Sequence, residues 1–257
     1  MLLANKKVAE RIGKVKQGQH AKTFVYRIHD KPNAEKLLNF SNFIHQFGYS
    51  IKTASHKAIA ESMNRLLTDI QGKNEQYIIE SLAIRTMAKA KYSTQNIGHY
   101  GLSFEHYTHF TSPIRRYPDL MVHRLLDMYL HNEPSENQQK VEGMCIQSSM
   151  MEERAVSAER ASIKYKQVEF LQDKVGQKFE GIISGISEWG FFVELTENHC
   201  EGMVPMRDMD DDFYEYDEKN YCLVGAHTRR RFVIGQKVTI EIARTNLAKR
   251  QMDFKLV

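Results

Sequence analysis

Two adjacent arginines, Arg115 and Arg116, stand in a segment crowded with hydroxyls and aromatics, Gly101-Leu102-Ser103-Phe104-Glu105-His106-Tyr107-Thr108-His109-Phe110-Thr111-Ser112-Pro113-Ile114-Arg115-Arg116-Tyr117-Pro118-Asp119. A guanidinium group matches a phosphate bidentately. A helix N-terminus adds unpaired N–H groups and the positive end of a dipole. Pro113 suits the first turn of a helix, so Thr111 or Ser112 is expected to cap it or to share a phosphate with it. Together these residues make a phosphodiester clamp. The competing reading is a capped helix whose arginines pair with Asp119 or Glu105. His106 and His109, spaced i, i+3, could ligate a metal, although packing in the loop accounts for them as well.

A second group lies near the C-terminus. Trp189-Gly190-Phe191-Phe192-Val193 places aromatics on both faces of a strand. One face would pack a core and the other could stack on bases, at about 1–3 kcal/mol per base. Lys178, Lys237, Arg244 and the run Arg229-Arg230-Arg231 could meet backbone phosphates, and for the run a solvated loop is the alternative.

Elements must position these groups. In residues 1–174 apolar side chains recur at helical spacing. Helices are expected over Met1 to Lys14, from an Asn33 cap to about Phe47, from a Ser55 cap past Leu67, over Glu75 to Ala90, from Pro113 past Met128, and from Glu136 to Asp173. Phe24 to Ile28 is a strand candidate, and residues 91–112 read as an irregular loop. At Val175-Gly176 the period changes to two, with about five short strands over the remaining residues. That pattern suits a small barrel of OB type. The expected fold is therefore α+β, a mostly helical domain over 1–174 and a five-stranded OB-type barrel over 175–257.

Composition narrows the class. With 42% hydrophobic and 26% charged residues, 257 residues can bury a core. No run approaches the roughly 18 apolar residues of a membrane span, and the N-terminus does not read as a signal peptide, so the cytoplasm is expected. Residues 1–174 carry 25 basic and 18 acidic side chains, and residues 175–257 carry 11 and 14; the basic excess permits a polyanionic partner. Cys145, Cys200 and Cys222 are too scattered for a zinc pattern or a disulfide framework.

Thr111-Ser112-Pro113-Ile114-Arg115-Arg116-Tyr117-Pro118-Asp119-Leu120-Met121-Val122-His123-Arg124 resembles the signature of the RNase II/RNase R family of 3′→5′ exoribonucleases. The similarity extends to Met1-Leu2-Leu3-Ala4-Asn5, to Arg27-Ile28-His29-Asp30-Lys31-Pro32 and to Ala158-Glu159-Arg160. It implies an RNB catalytic domain whose second half is residues 1–174, and stepwise hydrolysis of single-stranded RNA to nucleoside 5′-monophosphates. It makes Arg115 the arginine that contacts phosphate near the scissile bond and Glu159 a glutamate of the active-site region, with Arg116, Thr111 and Ser112 in support. Residues 179–205 are similar to the S1-type RNA-binding module, in which the positions of Trp189 and Phe192 carry stacking aromatics. Pro205 stands where that module commonly has a third, a histidine.

The family's magnesium is held by an aspartate cluster that lies upstream of the Met1–Asn5 match, and no metal ligand is assigned in this sequence. Asp208, Asp210, Asp211 and Asp212 read as a solvated loop of the barrel. The chain is thus expected to be a piece of a longer or split enzyme. Its partners would be single-stranded RNA and the missing upstream half, and a purely RNA-binding role is the alternative.

Overall fold

The computed structural model describes residues 1–15, 20–53, 55–73 and 75–257. Contacts divide them into two compact units, one of Met1–Leu37 with Arg85–Val156 and the other of Leu38–Ile84 with Ser157–Val257.

The first unit is built on helix α1 (Leu2–Gly13), strand β1 (Tyr26–Ile28), strand β2 (Lys91–Ser93) and helix α5 (Tyr117–Leu130), together with the start of α6 (Gln138–Leu171). The strand expected near Phe24 exists, and β2 is its antiparallel partner. Residues 91–112 are therefore not wholly irregular. Three residues are too few for an alternating pattern to stand out, which hides β2 from periodicity. Phe24, Ala9, Tyr92, Val122, Leu125 and Cys145 lie in one buried cluster, so the helical faces read from the sequence close over this two-stranded sheet.

Helices α2 (Ala34–His45) and α3 (His56–Asp69) begin where their caps predict, and α4 (Gln76–Thr86) is shorter than the span Glu75 to Ala90 expected from periodicity. The Asn33 side chain accepts from the N–H groups of Glu35 and Lys36, and the Ser55 hydroxyl accepts from Ala58 N. Each side chain satisfies donors that a helix start leaves unpaired.

In the second unit five strands close a barrel in the order β10-β5-β4-β3-β9. They are β3 (Lys178–Ser187), β4 (Gly190–Leu195), β5 (Glu201–Pro205), β9 (Lys237–Asn246) and β10 (Gln251–Leu256). Ile183, Phe191, Val193, Leu195, Ile240, Ile242 and Phe254 fill it at zero exposure, with Val168 and Leu171 from the end of α6 in the same cluster. The expected count of five strands holds for the barrel. Three more, β6 (Tyr214–Asp217), β7 (Cys222–Gly225) and β8 (Arg231–Val233), make a separate antiparallel sheet between β5 and β9. Three or four residues each are too few for their patterns to stand out. Among the described residues no helix is long and apolar enough to cross a membrane.

Candidate functional site

The arginine pair sits on a turn rather than on a helix. Helix α5 starts at Tyr117, with Arg116 at the N-cap position and Pro118 in its first turn. The expected start at Pro113, with Thr111 or Ser112 as a side-chain cap, is corrected. A helix running from 113 would bury the ring of Pro118 against the carbonyl four residues back and lose a hydrogen bond there. Residues 112–116 instead form a turn in which Arg115 N and Arg116 N both donate to Ser112 O. Asp119, at zero exposure, organises this turn. Its Oδ1 accepts from Ser112 N at 2.8 Å and from Arg116 Nη2 at 2.9 Å. Ser112 thus contributes its backbone, Thr111 is half-buried, and Arg115 points outward beside the exposed Ile114. Adjacent and identical in sequence, the two arginines are placed in different circumstances.

Behind the turn lies a polar wall that the sequence did not reveal. Arg27 makes a bidentate pair with Glu152, at 2.6 and 3.1 Å, and its guanidinium lies 4.6 Å from the centre of the Tyr92 ring. The Tyr92 hydroxyl is 2.8 Å from His109 Nδ1. Asn5 donates to the Tyr107 hydroxyl and accepts from Phe110 N. Burial, with Arg116 and Arg27 nearby, lowers His109 to about 4, and burial pushes Tyr92 up to about 12. Both therefore stay neutral near pH 7. A cavity of about 550 Å³ opens here, lined by Tyr92, Arg115, Arg116, Tyr117, Met144 and Glu152. Residues 27, 92 and 152 are too far apart in sequence for spacing to group them. Glu159 is an exposed residue of α6 in the other compact unit.

The barrel presents its aromatics at the β3–β4 hairpin. Trp189 is 69% exposed and Phe192 half-buried, while Phe191 between them points into the core. Gly190 makes the hairpin possible: its φ is +142°, and a Cβ there would come within 2.1 Å of Val204 O. A groove of about 640 Å³ runs past Trp189, Phe192 and Met203, and its cations are Lys164, Arg207 and Arg250. Lys164 donates to Glu201 O, and burial lowers its pKa. These three cations were missed, because Lys164 belongs to α6 and Arg250 to the β9–β10 turn. Lys178, at the opposite end of β3 from Ser187, and Lys237, paired with Ile182, lie outside the groove lining.

Arg244 is held by Asp253 at 2.6 Å and Asp208 at 3.1 Å. Arg230 pairs with Asp211 at 3.1 Å and covers the Phe232 ring; Arg229 and Arg231 are exposed. The aspartate run is not a solvated loop throughout. The Asp212 side chain is almost fully buried, and five donors converge on it: Phe213 N, His227 N and Nδ1, and Thr228 N and Oγ1. With Asp208, Asp211 and Asp212 engaged by these donors, the run does not fit a magnesium site. Among the described residues no three His, Cys, Asp or Glu side chains gather to hold a metal.

Residues 1–132 match the RNB domain and residues 172–256 the S1 RNA binding domain. The chain belongs to the RNB-domain family. It is 36% identical over 260 residues to ribonuclease R 1 of Lactococcus lactis, covering 99% of this chain and 31% of that protein. The structure of Mycoplasma genitalium RNase R superposes with a TM-score of 0.86 at 27% identity, over 100% of this chain and 40% of that one; that protein has also been solved with ribose-methylated single-stranded RNA. Yeast Ssd1, described as a pseudonuclease, matches with a TM-score of 0.66 at 26% identity, over 86% of this chain and 28% of that one. This RNB–S1 chain spans about a third of the length of the curated relatives it matches.

Proposed function

We propose that this chain is the RNA-holding C-terminal part of a 3′→5′ exoribonuclease of RNase R type, which shortens single-stranded RNA to nucleoside 5′-monophosphates. The observation that carries the proposal is the turn at 112–119. A buried aspartate fixes it through Arg116 and Ser112, leaving Arg115 exposed at the lip of a cavity. A fixed cation in that position can hold a phosphate without first reorganising. Trp189 and Phe192 would guide the strand by stacking, with Lys164, Arg207 and Arg250 meeting its backbone. Thr111, Glu159, Lys178, Lys237 and Arg229 to Arg231 remain candidate contacts of the same RNA. The resemblance places the aspartates that would hold its magnesium upstream of the Met1–Asn5 match, and no step is routed through the metal.

The alternative is RNA binding without hydrolysis, favoured by the engaged carboxylates and by the likeness to a pseudonuclease. A degradation assay with magnesium on 5′-labelled single-stranded RNA separates the two. Stepwise shortening by the chain, alone or supplemented with the upstream part of a relative, that Arg115→Ala abolishes supports the nuclease. Binding with no shortening under either condition supports the alternative.

A further inference from the structure

Phe213 is 79% exposed, among the most exposed large apolar side chains of the molecule, yet it is far from loose. It stands at the head of the β6–β8 sheet, where Asp212 accepts from its N–H at 2.7 Å. The same carboxylate accepts from His227 N and Nδ1 and from Thr228 N and Oγ1. Ala226 N donates to Phe213 O at 2.7 Å, closing the loop from the other side. Gly225 makes room for the arrangement, since a Cβ there would lie 2.5 Å from Asp212 Oδ2. One buried carboxylate therefore fixes the backbone that carries Phe213 and holds the His227 ring directly, and the two exposed rings have centroids 6.2 Å apart.

Holding an apolar ring in water gains nothing for the fold, whereas a backbone and a neighbouring ring fixed in advance reduce the ordering cost when something stacks there. The ligand chemistry follows from the neighbours. Arg229, Arg230 and Arg231 follow directly after Thr228. Arg230 is partly neutralised by Asp211 and Arg231 by the nearby Asp217, while Arg229 is exposed. Aromatic rings interleaved with cations bind single-stranded nucleic acid. Phe213 lies six positions after Arg207 of the Trp189 groove, so extended chain limits the gap to about 20 Å. An OB-type module spans roughly 4–16 nucleotides, enough to reach from one platform to the other.

We infer that Phe213 and His227 form a second stacking platform for single-stranded RNA, next to the groove of Trp189 and Phe192. This rests on RNA being the ligand of the barrel, and the test keeps the two claims apart. Trp189 is the only tryptophan, so its fluorescence reports binding in the groove alone. The whole chain, in EDTA to prevent cleavage, would be titrated with oligouridylates of roughly four and roughly sixteen nucleotides. Phe213→Ala, Phe213→Tyr and the parent chain would be compared, with melting curves to confirm that all are folded. The expected result is about tenfold weaker binding of the long oligomer by Phe213→Ala, an unchanged affinity for the short one, and recovery in Phe213→Tyr. Equal affinity of parent and Phe213→Ala for the long oligomer overturns the second platform and leaves the groove standing, whatever protein partner the patch then proves to hold. Failure of the parent chain to bind either oligomer overturns the RNA reading of the barrel and the platform with it.

Discussion

The turn at 112–119 and the β3–β4 hairpin both present a side chain to solvent, but they fix it by opposite means. The turn relies on polar groups: Asp119, fully buried, draws Ser112 and Arg116 inward so that Arg115 is left outside. The hairpin relies on apolar packing: Phe191 anchors in the barrel core, so Phe192 beside it faces the other way, and Trp189 stands exposed in the turn that precedes β4. A polar clamp fails when one partner is lost, because the other is left unpaired. An apolar anchor fails through the cavity it leaves. Neighbouring residues of the same type can thus differ completely in role.

The sharpest way to break the contrast is at the two anchors. Phe191→Ala should cost about 3–5 kcal/mol and Asp119→Ala about 3 kcal/mol, both read from denaturant midpoints. A loss under 1 kcal/mol in either variant would remove that anchor from the account. Trp189→Ala should behave differently, with an unchanged midpoint and affinity for single-stranded RNA weaker by about 1–3 kcal/mol, measured by fluorescence anisotropy of labelled RNA. Acid should separate the regions next. Burial lowers both His99 and His109, in the first compact unit, to about 4. Their contribution is present above the ordinary histidine range and is lost as pH falls from about 6.5 through 4. Asp212 of the barrel is held far below the ordinary carboxylate range, first by the Thr228 hydroxyl, so its contribution is lost only in stronger acid. Hydrogen exchange between pH 6.5 and 4 should therefore show the first unit losing protection before the barrel. The smallest effect is expected at Arg244, already held by Asp208 and Asp253. Arg244→Ala should leave both the denaturant midpoint and the RNA affinity near the parent values, the latter read in the same anisotropy titration.

Much of this architecture is legible in the residues. Asn33 and Ser55 mark helix starts because their side chains bond the first free N–H groups, and the alternation of Val238, Ile240 and Ile242 marks a strand because two of the three point into the barrel core. The turn at 112–119 was misread as a helix because Pro113 and Pro118 both suit a first turn, and only the second can begin α5. Nothing in the order of residues separates Arg115 from Arg116; the difference lies in which one the buried carboxylate reaches. The groove's cations escaped because Lys164, Arg207 and Arg250 come from a helix and two turns. The basic residues nearest in type, Lys178 and Arg244, lie elsewhere or are already paired.

The most direct test sets Arg115→Ala beside Arg116→Ala, measuring single-stranded RNA affinity in EDTA and the thermal midpoint on the same samples. The account predicts that Arg115→Ala weakens RNA binding with the midpoint unchanged, and that Arg116→Ala lowers the midpoint by leaving the buried Asp119 carboxylate without its cation. Unchanged RNA affinity in Arg115→Ala, or equal loss of stability in both variants, would contradict it.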